Sequence, residues 1–117
     1  MLLGVKSGKL RITLRSEVLK GHLDFLLLAA ISRGPLHGYG IVEAIRERTD
    51  GELELAEGTV YPALYRLEGA GLLASSWTTA GRRKRRVYRL TRRGRARLAR
   101  ERAEWRTFAG VMEAVTA

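Results

Sequence analysis

The side chains in this sequence best placed to do chemistry are cations. Twelve lysines and arginines and a single acid, Glu101, fall between Arg82 and Arg102, and five of them run consecutively: Arg82, Arg83, Lys84, Arg85 and Arg86. The use of so dense a block is to hold a polyanion: DNA, RNA or an anionic membrane surface. The formal net charge of +10 over 117 residues has the same sign. A basic run is most often a solvated face, so its neighbours decide its meaning. A second unusual group precedes it: Thr59, Tyr61, Tyr65 and Arg66 lie on the outer side of a short helix. Large exposed aromatics on such a helix call for a reason. Each tyrosine either covers the edge of the core or enters a nucleic-acid groove, where side chains reach base edges and phosphates.

Other chemistries lack their residues. There is no cysteine, so disulfide, thiol and Cys-based zinc chemistry are excluded. His22 and His37 stand alone, so neither a metal nor a cofactor is expected. With no Gly-rich phosphate loop and no nucleophile–base pair, an enzyme is not expected either. Glu52, Glu54 and Glu57 sit on a short connector and are read as facing water. The longest apolar run, Phe25–Ile31, is far too short to span a membrane. The N-terminus makes a poor signal peptide. A cytoplasmic protein without membrane contact is the expectation.

The elements that must position these groups are legible from periodicity and punctuation. Residues 1–16 read as a poorly ordered basic arm, although Leu10, Ile12 and Leu14 alternate like a strand. Ser16 or Gly21 opens a first helix whose broad apolar face carries Leu23, Leu26, Leu27, Ala30 and Ile31, and Gly34-Pro35 stops it. His37-Gly38-Tyr39 leads a second helix with the stripe Ile41, Val42 and Ile45. Glu52–Leu55 alternates, as a connector pairing with a later strand would. A third helix buries Val60, Ala63, Leu64 and Leu67, with Thr59 as its cap, Pro62 in its first turn, and Gly69 and Gly71 at its end. Two strands follow, Leu72–Thr79 and Arg85–Leu90, around a basic turn over 80–84. Thr91 caps a last helix. The architecture expected is mainly α with a small β-hairpin: a winged helix-turn-helix over 17–90 and one long C-terminal dimerisation helix over 91–117.

The last helix carries a seam. Leu98, Trp105 and Met112 are seven apart, Phe108 and Val115 fall three further on, and Glu101 interrupts one position. Such a seam either folds back over the first helix or meets its twin in a homodimer, and the second reading is preferred. Arg92 and Arg93 open this helix, where the dipole disfavours each cation by roughly 0.3–1 kcal/mol. That placement makes sense beside a phosphate backbone.

At this point the motifs resemble a known family. Gly34-Pro-Leu-His-Gly-Tyr39, Glu57-Gly-Thr-Val-Tyr-Pro-Ala-Leu64, Arg66-Leu-Glu68, Gly71-Leu-Leu73 and Tyr88-Arg-Leu-Thr91 followed by Gly94 are similar to those of PadR transcriptional regulators of the short type. The likeness covers about residues 20–110. It implies a dimeric winged-helix DNA-binding protein, usually a repressor, with the Thr59–Leu67 helix as recognition helix and the Ala80–Arg86 loop as wing. It further implies that Trp105 occupies a dimer seam which, in some members, flanks a pocket for planar aromatic compounds.

The function expected is therefore sequence-specific binding of double-stranded DNA at a near-palindromic operator by a homodimer. An RNA-binding winged-helix module is the alternative. Thr59, Tyr61, Tyr65 and Arg66 would carry specificity, with Tyr39 on the backbone. Arg66 either reads guanine or pairs with Glu68 or Glu43. Arg82, Arg83, Lys84, Arg85 and Arg86 would hold flanking phosphates. Leu98, Trp105, Phe108, Met112 and Val115 form the dimer seam and enclose either a small aromatic effector or nothing but each other.

Overall fold

The computed structural model describes residues 16–117, with side chains from Gly21 onward. The arm read over the residues before Ser16 lies outside the described residues. The first helix, α1, spans Ser16–Ile31 and buries Leu27, Leu28, Ala30 and Ile31. A two-residue strand, β1 (Leu36–His37), leads into α2 (Gly38–Arg48). His37 caps α2, its Nδ1 accepting the Gly40 N–H at 2.8 Å. Ile41 and Ile45 of α2 meet α1 in the core.

The stretch Glu52–Leu55 alternates as expected, with Leu53 and Leu55 buried, but it joins no sheet. The third strand position is taken by β1 instead. Burial of the two leucines satisfies the connector's pattern without a ladder.

The third helix, α3, spans Glu57–Gly69 and turns Val60, Ala63, Leu64 and Leu67 inward. Two details depart from expectation. Ala56, not Thr59, is the N-cap, and no side chain caps the helix. Leu55 is anchored in the core and the helix begins as soon as the chain leaves it. Glu57 in the first turn suits the positive end of the dipole. Pro62 consequently sits in the second turn, where the missing N–H deprives the Gly58 carbonyl of its helical donor. The end is as expected. Gly71 has φ +80, its N–H donates to the Glu68 carbonyl, and the Leu72 N–H donates to the Leu67 carbonyl, each at 3.0 Å. That crossed pair with a left-handed glycine is the Schellman stop.

The hairpin is tighter than expected. β2 (Leu73–Ala80) and β3 (Arg83–Leu90) pair antiparallel from Leu73↔Leu90 to Ala80↔Arg83, leaving only Gly81-Arg82 as the turn. Gly81 at φ +67 permits so short a reversal. Arg83 to Arg86 are therefore strand residues, not loop residues. β1 adds to the other edge of β3 through Leu36↔Tyr88 and His37↔Val87, giving the order β1-β3-β2. Leu73, Tyr88 and Leu90 close the core from the sheet side.

Thr91 locks the sheet to the last helix, α4 (Arg92–Thr116). Its hydroxyl accepts from the Gly94 N–H at 3.0 Å and donates to the Gly71 carbonyl at 2.7 Å. Its own N–H donates to the Leu72 carbonyl at 3.1 Å. Gly94 is buried at this junction, and a Cβ there would run into the Leu72 carbonyl. Twenty-five residues at 1.5 Å each carry α4 roughly 37 Å, well past the three-helix core.

Candidate nucleic-acid interface

The outer side of α3 and the inner side of the hairpin form one groove. It is lined by His37, Gly38 and Tyr39 at the start of α2, by Glu57, Tyr61 and Tyr65 of α3, and by Trp77 with Arg83 to Arg86 of the hairpin. The core stripe of α3 leaves Tyr65 outward, 67% exposed. Tyr61 is half-turned towards α2, and its ring occupies the space that a Cβ on Gly38 would need. The α2–α3 approach thus depends on a glycine in the His37-Gly38-Tyr39 turn. Tyr39 is exposed, and its hydroxyl donates to Glu43. That carboxylate, through its hydrogen bond and charge, raises the Tyr39 phenol above its ordinary value. Glu43 in turn is held low, first by Arg46, which donates to it at 2.6 Å, and then by Tyr39.

The five hairpin cations are not equivalent. Arg82, Arg83 and Lys84 are exposed and form no ion pair among the described residues. Arg85 reaches back to His37, Nη1 lying 2.6 Å from Nε2. Because the Gly40 N–H already occupies Nδ1, the neutral ring carries its proton on Nε2 and cannot accept from Arg85. Burial first, and then the Arg85 charge, push the His37 pKa down. Arg85 is thus left with its donors for another partner. Arg86 is tied inward: Nε donates to Ser75 Oγ at 3.0 Å, Nη2 lies 3.7 Å from Glu68 at the end of α3, and the guanidinium sits 5.3 Å over Trp77. It bolts the hairpin to α3.

Arg66 pairs neither with Glu68 nor with Glu43. Both its Nη atoms donate at 3.0 Å to the two oxygens of Asp24 on α1. It leaves α3 on the flank towards α1, away from the hairpin. Thr59 is half-buried and also lies outside the groove. Trp77 went unnoticed in the sequence as a groove residue. Its signal was available, since cross-strand register places it opposite Arg86 on the face that continues from Tyr88. Arg92 and Arg93 are exposed at the start of α4 and do not line the groove.

The seam of α4 divides. Leu98 is 3% exposed, buried in the core of its own chain, so it is not part of an open seam. Trp105 rests against α1, its ring 5.6 Å from His22 and 6.5 Å from Phe25, yet stays 45% exposed. Here the helix does fold back over α1. Beyond it Phe108, Met112 and Val115 are exposed, joined by Val111, which lies off the heptad positions.

Three helices with the third presented beside a basic β-hairpin define a winged-helix protein. The chain belongs to the PadR-like family of transcriptional regulators, whose model matches residues 27–100. It is 33% identical over 92 residues to an uncharacterised protein of Lysinibacillus sphaericus, covering 78% of this chain and 84% of that one. It is 50% identical over 48 residues to the transcriptional regulator Rv3488 of Mycobacterium tuberculosis, a match spanning 41% of this chain and 45% of that protein. Among solved structures it is similar to a transcriptional regulator from Clostridium thermocellum, with 29% identity, a TM-score of 0.79, and coverage of 87% of this chain and all of that one. It also resembles Bacillus subtilis PadR solved in complex with operator DNA, with 26% identity, a TM-score of 0.61, and coverage of 66% of this chain and 44% of that one.

Proposed function

We propose that this regulator works as a cytoplasmic homodimeric repressor that binds a near-palindromic operator in double-stranded DNA. The observation that carries the reading is the groove itself: Tyr61, Tyr65 and Tyr39 face a hairpin whose cations Arg82, Arg83, Lys84 and Arg85 have no acidic partner among the described residues. The similarity to a family member solved on its operator supports the same polyanion. In this reading α3 enters the major groove with Tyr61 and Tyr65 towards the bases. The hairpin holds the flanking backbone, supplying affinity with little sequence information. Arg86 positions the hairpin, and Arg66 and Thr59 contribute from the flank of α3.

The dimer reading rests on α4. At 100° per residue Trp105, Phe108, Val111, Met112 and Val115 fall within an arc of about 120°, and all five are exposed. A stripe of large apolar side chains on one side of a projecting helix is buried in solution by a partner, most simply its own copy. Two recognition helices then meet successive major grooves about 34–36 Å apart. A small aromatic effector at Trp105 belongs to the same reading. No described helix is long and apolar enough to cross a membrane.

The test is a mobility-shift comparison of a selected duplex with RNA of the same sequence, together with mass measurement in solution. Duplex binding by a dimer is expected. Preference for RNA would support the alternative module, and a monomer indifferent to every duplex at low ionic strength would end the proposal.

A further inference from the structure

Arg92 and Arg93 open α4 against its dipole and yet stay out of the groove. They belong to a larger remainder. Of the twelve cations between Arg82 and Arg102, the hairpin takes five, and Glu101 holds Arg97 at 2.7 Å. On α4, at 100° per residue, Arg92, Arg95, Arg102 and Arg106 fall within an arc of about 80°. All four are exposed, and none forms an ion pair among the described residues. Small Ala99 takes the same arc on the turn between Arg95 and Arg102. Glu101 and Glu104 lie about 100° or more outside it, so no acid breaks the row. From Arg92 to Arg106 the helix rises about 21 Å, a length matching roughly six phosphates along one strand of a duplex.

The row and the apolar stripe running from Trp105 to Val115 lie on opposite sides of α4, their centres about 160° apart. A twin that covers the stripe therefore leaves the row open to solvent. A helix lying in a membrane surface would need that same stripe for lipid. No aromatic or amide side chain is interleaved with the arginines to read a base, so the row fits a run of phosphates whatever their sequence. We propose that the outer side of α4 is a second, sequence-independent surface for duplex DNA, which holds another segment of DNA while the groove holds the operator. A regulator seated on its operator meets neighbouring DNA at high effective concentration, so a weak and salt-sensitive surface suffices. In a dimer the two rows face away from each other, and the complex joins separate stretches of DNA. The inference rests on the DNA reading above and gives a partner to the cations which that reading leaves over.

The test uses the full chain, loaded to saturation on an immobilised duplex whose site was selected from a random-sequence library. After washing, a fluorescent duplex of unselected sequence is passed over it. Capture is expected. If each arginine of the row neutralises one phosphate, capture should weaken by roughly 150-fold per protomer between 50 and 200 mM salt. Arg92→Gln, Arg95→Gln, Arg102→Gln and Arg106→Gln combined should cost at least about tenfold in capture at 50 mM salt. The same variant should bind the selected duplex within about twofold of the parent, because no α4 residue lines the groove. Lysine at the same four positions should keep the capture, which separates lost charge from a disturbed helix. If the fourfold glutamine variant does not fold, Arg102→Gln with Arg106→Gln should remove about half of the salt slope. Loading on the immobilised duplex judges the DNA reading by itself. A loaded complex that captures nothing at 50 mM salt, or a glutamine variant that captures as well as the parent, overturns the second surface. Loss of selected-duplex affinity in the variant, without capture by the parent, assigns the row to the flanks of the same duplex and overturns it too. An RNA hairpin or a phosphatidylglycerol vesicle captured at least about tenfold more tightly than the duplex overturns the assignment to DNA.

Discussion

Replacing Arg82, Arg83, Lys84 and Arg85 together by glutamine tests the groove most directly. All four are exposed and none has an acidic partner among the described residues, so folding loses little. The two-residue turn is kept because Gly81 is untouched. If each cation neutralises one phosphate, the slope of log K against log salt should fall by about 0.9 per residue, about 3.6 in all for each protomer. Between 50 and 200 mM salt, a fourfold change, the variant should therefore lose roughly 150-fold less affinity per protomer than the parent. Fluorescence anisotropy with a labelled duplex across that range measures it. Arg100→Gln, on α4, is the control and should leave the slope alone. Arg86→Gln should behave differently again: its guanidinium is held by Ser75, Glu68 and Trp77, so the loss should appear in thermal stability before it appears in the slope. A fourfold variant with an unchanged slope would refute the assignment of these cations to phosphates, whatever happened to affinity at one salt concentration.

Gly94→Ala should destabilise the fold by about 1–3 kcal/mol, read from a urea midpoint, because its Cβ meets the Leu72 carbonyl at the α4 junction. Gly58→Ala should do the opposite in the free protein, where its Cβ meets nothing, yet weaken duplex binding if the start of α3 lies against DNA. His37 has a folded pKa below its ordinary value of about 6.5. Its neutral form is the one folding favours, so its contribution is complete above 6.5 and declines as pH falls from there towards the folded pKa. His37→Asn keeps a capping side chain and should flatten that part of a urea-midpoint profile. Glu43, whose pKa is lowered, loses its contribution only below about 4.5, so its decline begins at lower pH than that of His37. Val111→Glu with Met112→Glu should convert a dimer to a monomer by sedimentation without lowering helix content, since neither side chain enters the core.

Local chemistry was readable from the order of residues. The inward stripe of α3, the left-handed stop at Gly71 and the Thr91 cap each depend on groups within a few positions, so periodicity and turn chemistry suffice to find them. The aromatic and basic types that meet in the groove were visible for the same reason. Choices among distant partners were not. Arg66 had acids three or fewer turns away, but took Asp24, 42 positions earlier, because α1 packs along that flank of α3. β3 accepted β1 rather than the alternating Glu52–Leu55 stretch, because the buried leucines hold that connector against the core. Leu98 and Trp105 share a heptad position in the sequence. Only the crossing of α1 over α4 buries the first and half-covers the second. A hydrophobic repeat records that a side chain seeks cover; which surface supplies it is settled when helices far apart in the chain are brought together.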